Sequence, residues 1–222
     1  MKSIISLSGG MDSGTALLWA KKNSKEVIAV GFQYGSKHNS YEQKCAKELA
    51  QYFKVKFLEV DLREVGKHLR SNLLKTGGEI PEGYYESESM KQTVVPGRNI
   101  IFISILSGIA ASQGFDTVVL GIHSGDHAIY PDCRPEFFYR MRDAVRKGLP
   151  EIDLAAPFLH KDKKGVLEYG YSEENFPYHL TRTCYKDQEL ACGKCGACRE
   201  RLEAFQLIGR VDPIKYEGRE DV

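Results

Sequence analysis

The chain has 222 residues, with 31 Lys and Arg against 30 Asp and Glu and a net charge of +1. That balance provides no global field to draw the protein onto nucleic acid or an anionic membrane. At this length one α/β core, with or without a small appendage, buries enough apolar surface to be stable without disulfide staples.

Met1 to Ser6 runs into a short apolar stretch and then glycines, without the apolar core and cleavage site of a secretory signal. The most apolar run, Ile100 to Ala111, is broken by Ser104, Ser107 and Gly108. It falls short of the roughly 20 residues needed to cross a bilayer and reads as a buried helix. Of six cysteines, four crowd between Cys184 and Cys198, which favours a metal site in a reducing compartment over a disulfide framework. The expected location is the cytoplasm, with no membrane and no nucleic-acid partner.

Lys2 to Leu7 is β-branched and apolar and predicts a first strand, followed by a glycine turn and a helical pattern from Asp12 to about Lys22. Glu26 to Phe32 predicts a second strand, Tyr41 to Phe53 an amphipathic helix, and Val55 to Val60 a third strand. Residues 61–97 hold Gly77, Gly78, Pro81, Gly83 and Pro96, and read as a long surface excursion of the kind that serves as a lid or binding loop. A helix from Arg98 to about Gln113 and a strand from Thr117 to Ile122 follow, then a polar segment to Arg134. Helices are expected at Pro135–Lys147, Lys161–Tyr169 and Arg199–Ile208. Repeated strand–helix–strand units predict an α/β fold, an open, mostly parallel twisted sheet with helices on both faces. The expected division is an α/β nucleotide-binding domain over 1–175 and a small metal-braced helical module over 176–222.

Ser8-Gly9-Gly10-Met11-Asp12-Ser13 lies between the first strand and the first helix. Glycines there let the backbone turn sharply and gather N–H groups, and the helix N-terminus adds its positive dipole end, so the loop is an anion site. Ser8 and Ser13 add hydroxyl donors. An acidic residue beside phosphates calls for a cation between them, which assigns Asp12 to Mg2+. Glycines alone would be a tight turn with Asp12 as helix cap; the full six residues in this setting favour phosphate. No G-x-x-x-x-G-K-[ST] is present. The S-G-G-x-D-S loop resembles that of the PP-loop ATP pyrophosphatases, which adenylate a substrate and release pyrophosphate.

Cys184, Cys192, Cys195 and Cys198 have the spacing C-x7-C-x2-C-x2-C, with Gly193 and Gly196 permitting tight knuckles. Four thiolates with no open position describe a structural tetrahedral zinc site, with Lys194, Arg199 and Arg201 offsetting its charge. An iron–sulfur cluster is the competing reading, weakened by the missing C-x3-C-P cysteine. Cys45 reads as a core residue, and Cys133 has no evident His partner for nucleophilic chemistry.

Further segments, V-P-G-R-N at Val95–Asn99, Y-P-D-C-R-P-E-F at Tyr130–Phe137, Thr183-Cys184-Tyr185 and Cys192-Gly193-Lys194-Cys195, resemble the 7-cyano-7-deazaguanine synthase family from Ser6 to about Phe205. That resemblance implies an ATP-dependent, carbon–nitrogen-bond-forming ligase acting on 7-carboxy-7-deazaguanine and ammonia, with ATP and Mg2+, a structural Zn2+, and a homodimer. It implies a nucleotide-binding stretch over Leu7, Ser8, Gly9, Gly10, Met11, Asp12, Ser13, Gly14, Thr15, Ala16 and Leu17. Asp12, Ser13, Arg98 and Lys163 are the expected catalytic groups, Lys163 by the resemblance. A deazaguanine presents a donor-rich edge for a carboxylate and a carboxyl group for a guanidinium, so Arg98, Asp126, Asp132, Arg134 and Glu136 are the substrate-binding candidates. His123, His127 and Asp126 are candidate proton acceptors, with no general base assigned. Gly14 stands where the family more often has Thr, residues 33–38 match loosely, and Arg182 departs from the usual T-W-S-C. The alternatives are a related PP-loop enzyme that stops at the amide or takes another acid or a tRNA, and a zinc-braced module that holds nucleotide without turnover.

Overall fold

The computed structural model describes residues 1–84 and 88–218. Five parallel strands form one sheet in the order β3-β2-β1-β4-β5: β1 Lys2–Ser6, β2 Glu26–Gln33, β3 Lys56–Asp61, β4 Thr117–Val119 and β5 Asp153–Ala155. Helices α1 (Met11–Asn23), α2 (Asn39–Tyr52), a single turn α3 (Arg63–Gly66), α4 (Arg98–Gln113), α5 (Pro135–Gly148), α6 (Lys163–Glu173) and α7 (Gly196–Leu207) connect or follow them. The open α/β sheet agrees with the alternation read in the sequence.

Strand side chains divide between two apolar layers because successive residues point to opposite faces. Ile4, Ile28, Val30 and Val118 pack toward Ile103, Leu106 and Ala110 of α4. Ile5, Val27, Ala29 and Val119 pack instead with Leu17 and Leu18 of α1, Leu49 of α2 and Val166 of α6. β2 is buried from Val27 to Phe32 without interruption, as a parallel strand covered on both faces must be. Helix α4 spans the expected Arg98–Gln113 and ends at Gly114, whose φ of 72° is the left-handed conformation that closes a helix.

Four differences from the sequence reading have physical causes. β4 stops at Val119 rather than Ile122, because the chain there leaves the sheet to cross the N-terminus of α1. A Cβ on Gly121 would lie 2.8 Å from the Ser13 Cα. β5, with three residues, is too short to show a period in sequence. The 61–97 stretch is not only a surface excursion, since Leu73, Leu74, Met90 and Val95 are buried in the α4-side core. The segment after residue 175 also shares the cores: Phe176, Tyr178 and Phe205 join the α1 layer, and the four clustered cysteines join the α4 layer.

Candidate active site

The sheet order reverses between β1 and β4, and ligands of open α/β sheets bind outside the strand ends at such a point. A cavity of about 200 Å³ lies there, lined by the end of β1, the loops after β2 and β4, the start of α4, and segments from α6 and α7.

The loop after β1 is held from below and behind. Leu7 donates its N–H to Val30 O at 2.9 Å, and Arg182 donates its N–H to Gly9 O at 2.9 Å. Gly9 has a φ of 87°, and a Cβ there would stand 2.4 Å from Glu42 O and 2.8 Å from Ala46 N. Only glycine allows the loop to sit this close to α2. Ser8 and Ser13 hydroxyls are 3.0 Å apart, and Ser8 N–H donates to Ser13 Oγ at 3.2 Å. Gly10 precedes α1, and no described side chain caps that terminus, so its N–H groups are available to an anion.

Of the expected nucleotide stretch, Leu7, Ser8, Gly10, Asp12 and Ser13 line the cavity. Gly9, Met11, Gly14, Thr15, Ala16 and Leu17 support it from behind: Met11, Ala16 and Leu17 are fully buried. Thr15 Oγ1 donates to Met11 O at 2.7 Å and contacts Tyr178 Oη at 3.0 Å, while Gly14 packs under Phe176.

Charge gathers on one wall. Lys163 Nζ lies 3.1 Å from Asp12 Oδ2 and 2.7 Å from Glu200 Oε2. Burial by itself would lower the Lys163 pKa, but Asp12, Glu200 and Asp126 carry it well above the ordinary lysine value, so the ammonium stays charged. Burial raises the Glu200 carboxyl, against the opposing pull of Lys163 and His123. His123 is fully buried, and its Nδ1 accepts the Gly125 N–H at 3.1 Å. A neutral ring therefore carries its proton on Nε2, which lies 3.7 Å from Asp12 Oδ1 and 3.6 Å from Asp126 Oδ2. The side chain of His127 lies outside the described residues.

The opposite wall is aromatic. Phe32 and Phe102 stack at 4.0 Å with an interplanar angle of 10°, and Tyr34 meets Phe102 edge-on. Tyr130 Oη contacts Thr93 Oγ1 at 2.8 Å and Tyr185 Oη at 3.2 Å. Half-buried Arg98 opens α4 in this wall, next to Asn99 and Cys133. Burial pushes the Cys133 thiol far up, with Asp126 and Asp132 adding to it, so it is no thiolate nucleophile.

Three expected substrate residues do not reach the cavity. Asp132 turns its carboxylate to the start of α4, where Oδ2 accepts the Asn99 N–H at 3.0 Å; it caps that helix. Arg134 and Glu136 are exposed at the start of α5, because Pro135 begins a helix that runs away from the pocket. Asp126 and Arg98 do line it. Sequence reasoning missed Glu200, Tyr34 and Tyr185; only the C-R-E run beside the last cysteine hinted at Glu200.

The four cysteines are all buried, and their sulfurs lie within 4.8 Å of one another. Cys192 Sγ and Cys198 Sγ are 3.9 Å apart. Thiolates bound at about 2.3 Å to one tetrahedral ion stand about 3.8 Å apart, so the set fits a single ion. Four irons, each taking one thiolate, would spread the sulfurs further. The sulfurs also accept N–H groups: Cys192 N–H to Cys184 Sγ at 3.3 Å and Cys195 N–H to Cys192 Sγ at 3.3 Å, the outer-sphere bonds that orient ligands. Arg201 does not serve the cluster as the sequence suggested. Its guanidinium pairs with Asp212 at 2.7 Å and donates to Thr181 Oγ1 at 2.7 Å.

A parallel sheet with a serine–glycine loop at its switch point, opposite a lysine and carboxylates, defines an α/β protein of the ATP-using PP-loop class. NMN synthetase from Francisella tularensis has the same fold, with a TM-score of 0.50 and 14% identity over 95% of this chain and 78% of that one. So does a protein described as a predicted subunit of tRNA methyltransferase from Methanocaldococcus jannaschii, with a TM-score of 0.50 and 16% identity over 99% and 93%. The family model described as "Queuosine biosynthesis protein QueC" matches residues 2–209, and the chain belongs to that family. Relatives include 7-cyano-7-deazaguanine synthase 1 of Colwellia psychrerythraea, 45% identical over 97% of this chain and 99% of its own length. The 7-cyano-7-deazaguanine synthase of Caldicellulosiruptor saccharolyticus is 43% identical over 98% and 96%. Among the described residues no helix is long and apolar enough to cross a membrane.

Proposed function

We propose that this protein converts 7-carboxy-7-deazaguanine, ammonia and ATP into 7-cyano-7-deazaguanine in the cytoplasm. The observation that carries the reading is the convergence of Ser8, Asp12, Ser13, Lys163 and Arg98 on one cavity in a chain of this family.

In this mechanism the substrate carboxylate attacks the α-phosphorus, forming an acyl-adenylate and expelling pyrophosphate. Ammonia attacks the acyl carbon, loses a proton and displaces AMP to leave the amide. The amide oxygen attacks the α-phosphorus of a second ATP and expels a second pyrophosphate, and loss of the two remaining nitrogen protons with departure of AMP leaves the nitrile. The chain's part is positioning and charge stabilisation. Ser8, Ser13 and the N-terminus of α1 hold the departing pyrophosphate, Lys163 neutralises phosphate charge, and Arg98 aligns the substrate carboxylate. The aromatic wall takes the flat base, with Asp126 the acidic group at its edge. Mg2+, which offsets triphosphate charge, would be held by Asp12, whose Oδ1 is buried without a hydrogen-bond partner among the described residues. Zn2+ is the ion proposed for the four cysteines, where a filled thiolate set has a bracing role. A homodimer is the proposed assembly, which sedimentation at micromolar concentration reads directly.

The test is incubation with Mg-ATP, ammonium and 7-carboxy-7-deazaguanine, followed by mass spectrometry, with Asp12→Ala as control. Nitrile, AMP and pyrophosphate that vanish in the variant are the expected outcome. Accumulation of amide alone would move the chain to an amide-forming reaction, and absence of AMP would overturn the substrate.

A further inference from the structure

Glu200 has no part in the assignments above, yet its carboxylate stands nearer to Lys163 than that of Asp12. It lies in the first turns of α7, two residues after Cys198, and lines the cavity on the side facing the loop after β1. Its Oε2 stands 2.7 Å from Lys163 Nζ, nearer than Asp12 Oδ2 at 3.1 Å. Both Lys163 and Glu200 are almost wholly withdrawn from solvent, with side chains 7% and 14% exposed. The other oxygen of the carboxylate rests against the turn after β4, where a Cβ on Gly125 would lie 2.8 Å from Glu200 Oε1 and 2.8 Å from His123 Cε1. The carboxylate is thus wedged between Lys163 and a glycine that leaves it room.

Two carboxylates on one ammonium look redundant until ATP is considered. A divalent cation at Asp12 Oδ1 would weaken the hold of Asp12 Oδ2 on Lys163, because it shares the carboxylate's charge and repels the ammonium. A lysine held by Asp12 alone would swing away when the cation and triphosphate arrive. Glu200 sits on the far side and keeps the ammonium in place, so that the charge lost at Asp12 is replaced by phosphate rather than by water. Because Glu200 stands on the helix opened by Cys195 and Cys198, the cysteine cluster fixes this anchor as well as the C-terminal segment.

We infer that Glu200 is a positioning residue that holds Lys163 at the phosphate site through nucleotide binding, tying the metal-braced helix to the ATP loop. This rests on the proposed use of ATP but not on the identity of the acid.

The test compares Glu200→Gln and Glu200→Asp with the native protein. Mg-ATP affinity is read by calorimetry without any acid, and steady-state kinetics and bound zinc are measured alongside. Loss of the ion pair to a buried ammonium predicts that E200Q weakens Mg-ATP binding about tenfold or more. kcat falls with it, KM for the acid stays unchanged, and the zinc content stays native. E200D, which keeps the charge on a shorter stem, recovers part of the loss. Native affinity and kcat in E200Q overturn the inference, as does equal damage in both variants accompanied by loss of zinc. Should E200Q fail to fold, Gly125→Ala crowds the same carboxylate without removing it, and native Mg-ATP affinity there overturns the inference too. If the native protein makes no nitrile while its Mg-ATP affinity depends on Glu200, the substrate reading falls and this one stands.

Discussion

Arg201 and Asp212 form a fully buried ion pair, with side chains 0% and 1% exposed. The guanidinium donates Nε to Asp212 Oδ2 at 2.7 Å and Nη2 to Asp212 Oδ1 at 2.9 Å, and also donates to Tyr178 O at 3.1 Å. Tyr216 donates its hydroxyl to the same aspartate. Asp212→Ala strands the guanidinium in the interior, which costs about 3–5 kcal/mol when one partner of a buried pair is removed. Against a total stability of about 5–15 kcal/mol for a domain, that loss lowers the melting temperature by about 6–20 °C at this chain length. Urea unfolding followed through the one tryptophan, Trp19, gives the difference by linear extrapolation. The double variant Arg201→Met, Asp212→Leu removes both charges together and is expected to cost less than either single change, since neither leaves a bare ion. A single-variant cost below about 1 kcal/mol, or a double variant as costly as the sum of the two, would refute the desolvation argument.

Gly14→Thr introduces the residue that the family resemblance leads one to expect, but a Cβ at 14 meets Phe176 Cζ at 2.8 Å and Leu49 Cδ1 at 3.2 Å. The change should cost about 1–3 kcal/mol by overpacking, and adding Phe176→Leu should recover most of it in thermal melts. A strong chelator with a mercurial thiol reagent should release one zinc per chain and make the four clustered thiols titratable, with a large fall in melting temperature; release without destabilisation would deny the cluster a bracing role. Burial, then Glu48, raises the Cys45 thiol from 9.0 to about 11. An acid whose folded pKa is raised adds stability below its unfolded value and loses it as pH climbs from 9 toward 11. Cys45→Ala should flatten that decline, and an unchanged slope would show that the thiol ionises freely in the native state.

Much of the site was legible because its parts are local. A strand, a serine–glycine loop and a helix follow each other in sequence, so a candidate anion site could be read from Ser8 to Ser13, and C-x2-C-x2-C can close on one ion over a few residues of chain. Arg98, opening a helix after the 61–97 excursion, and Asp126, following the strand expected at 117–122, were both placed at the carboxyl edge of the sheet. Asp132, Arg134 and Glu136 failed because sequence proximity to a pocket-forming turn does not fix direction: Pro135 starts α5, and Asp132 spends its carboxylate capping α4.

The sequence by itself determined the first four strands and the main helices in chain order, a candidate phosphate loop and the thiolate set, since periodicity, glycine placement and metal spacing act over a few residues. Only the tertiary structure decided which distant groups meet. Lys163 and Glu200 are 37 residues apart on separate helices, and no local pattern places one carboxylate 2.7 Å from that ammonium. Arg201, read from its neighbours as a counter-ion for the cysteines, went to Asp212 because burying an ion requires the best-aligned opposite charge, and that partner is chosen by how α7 packs rather than by what stands beside it in the chain.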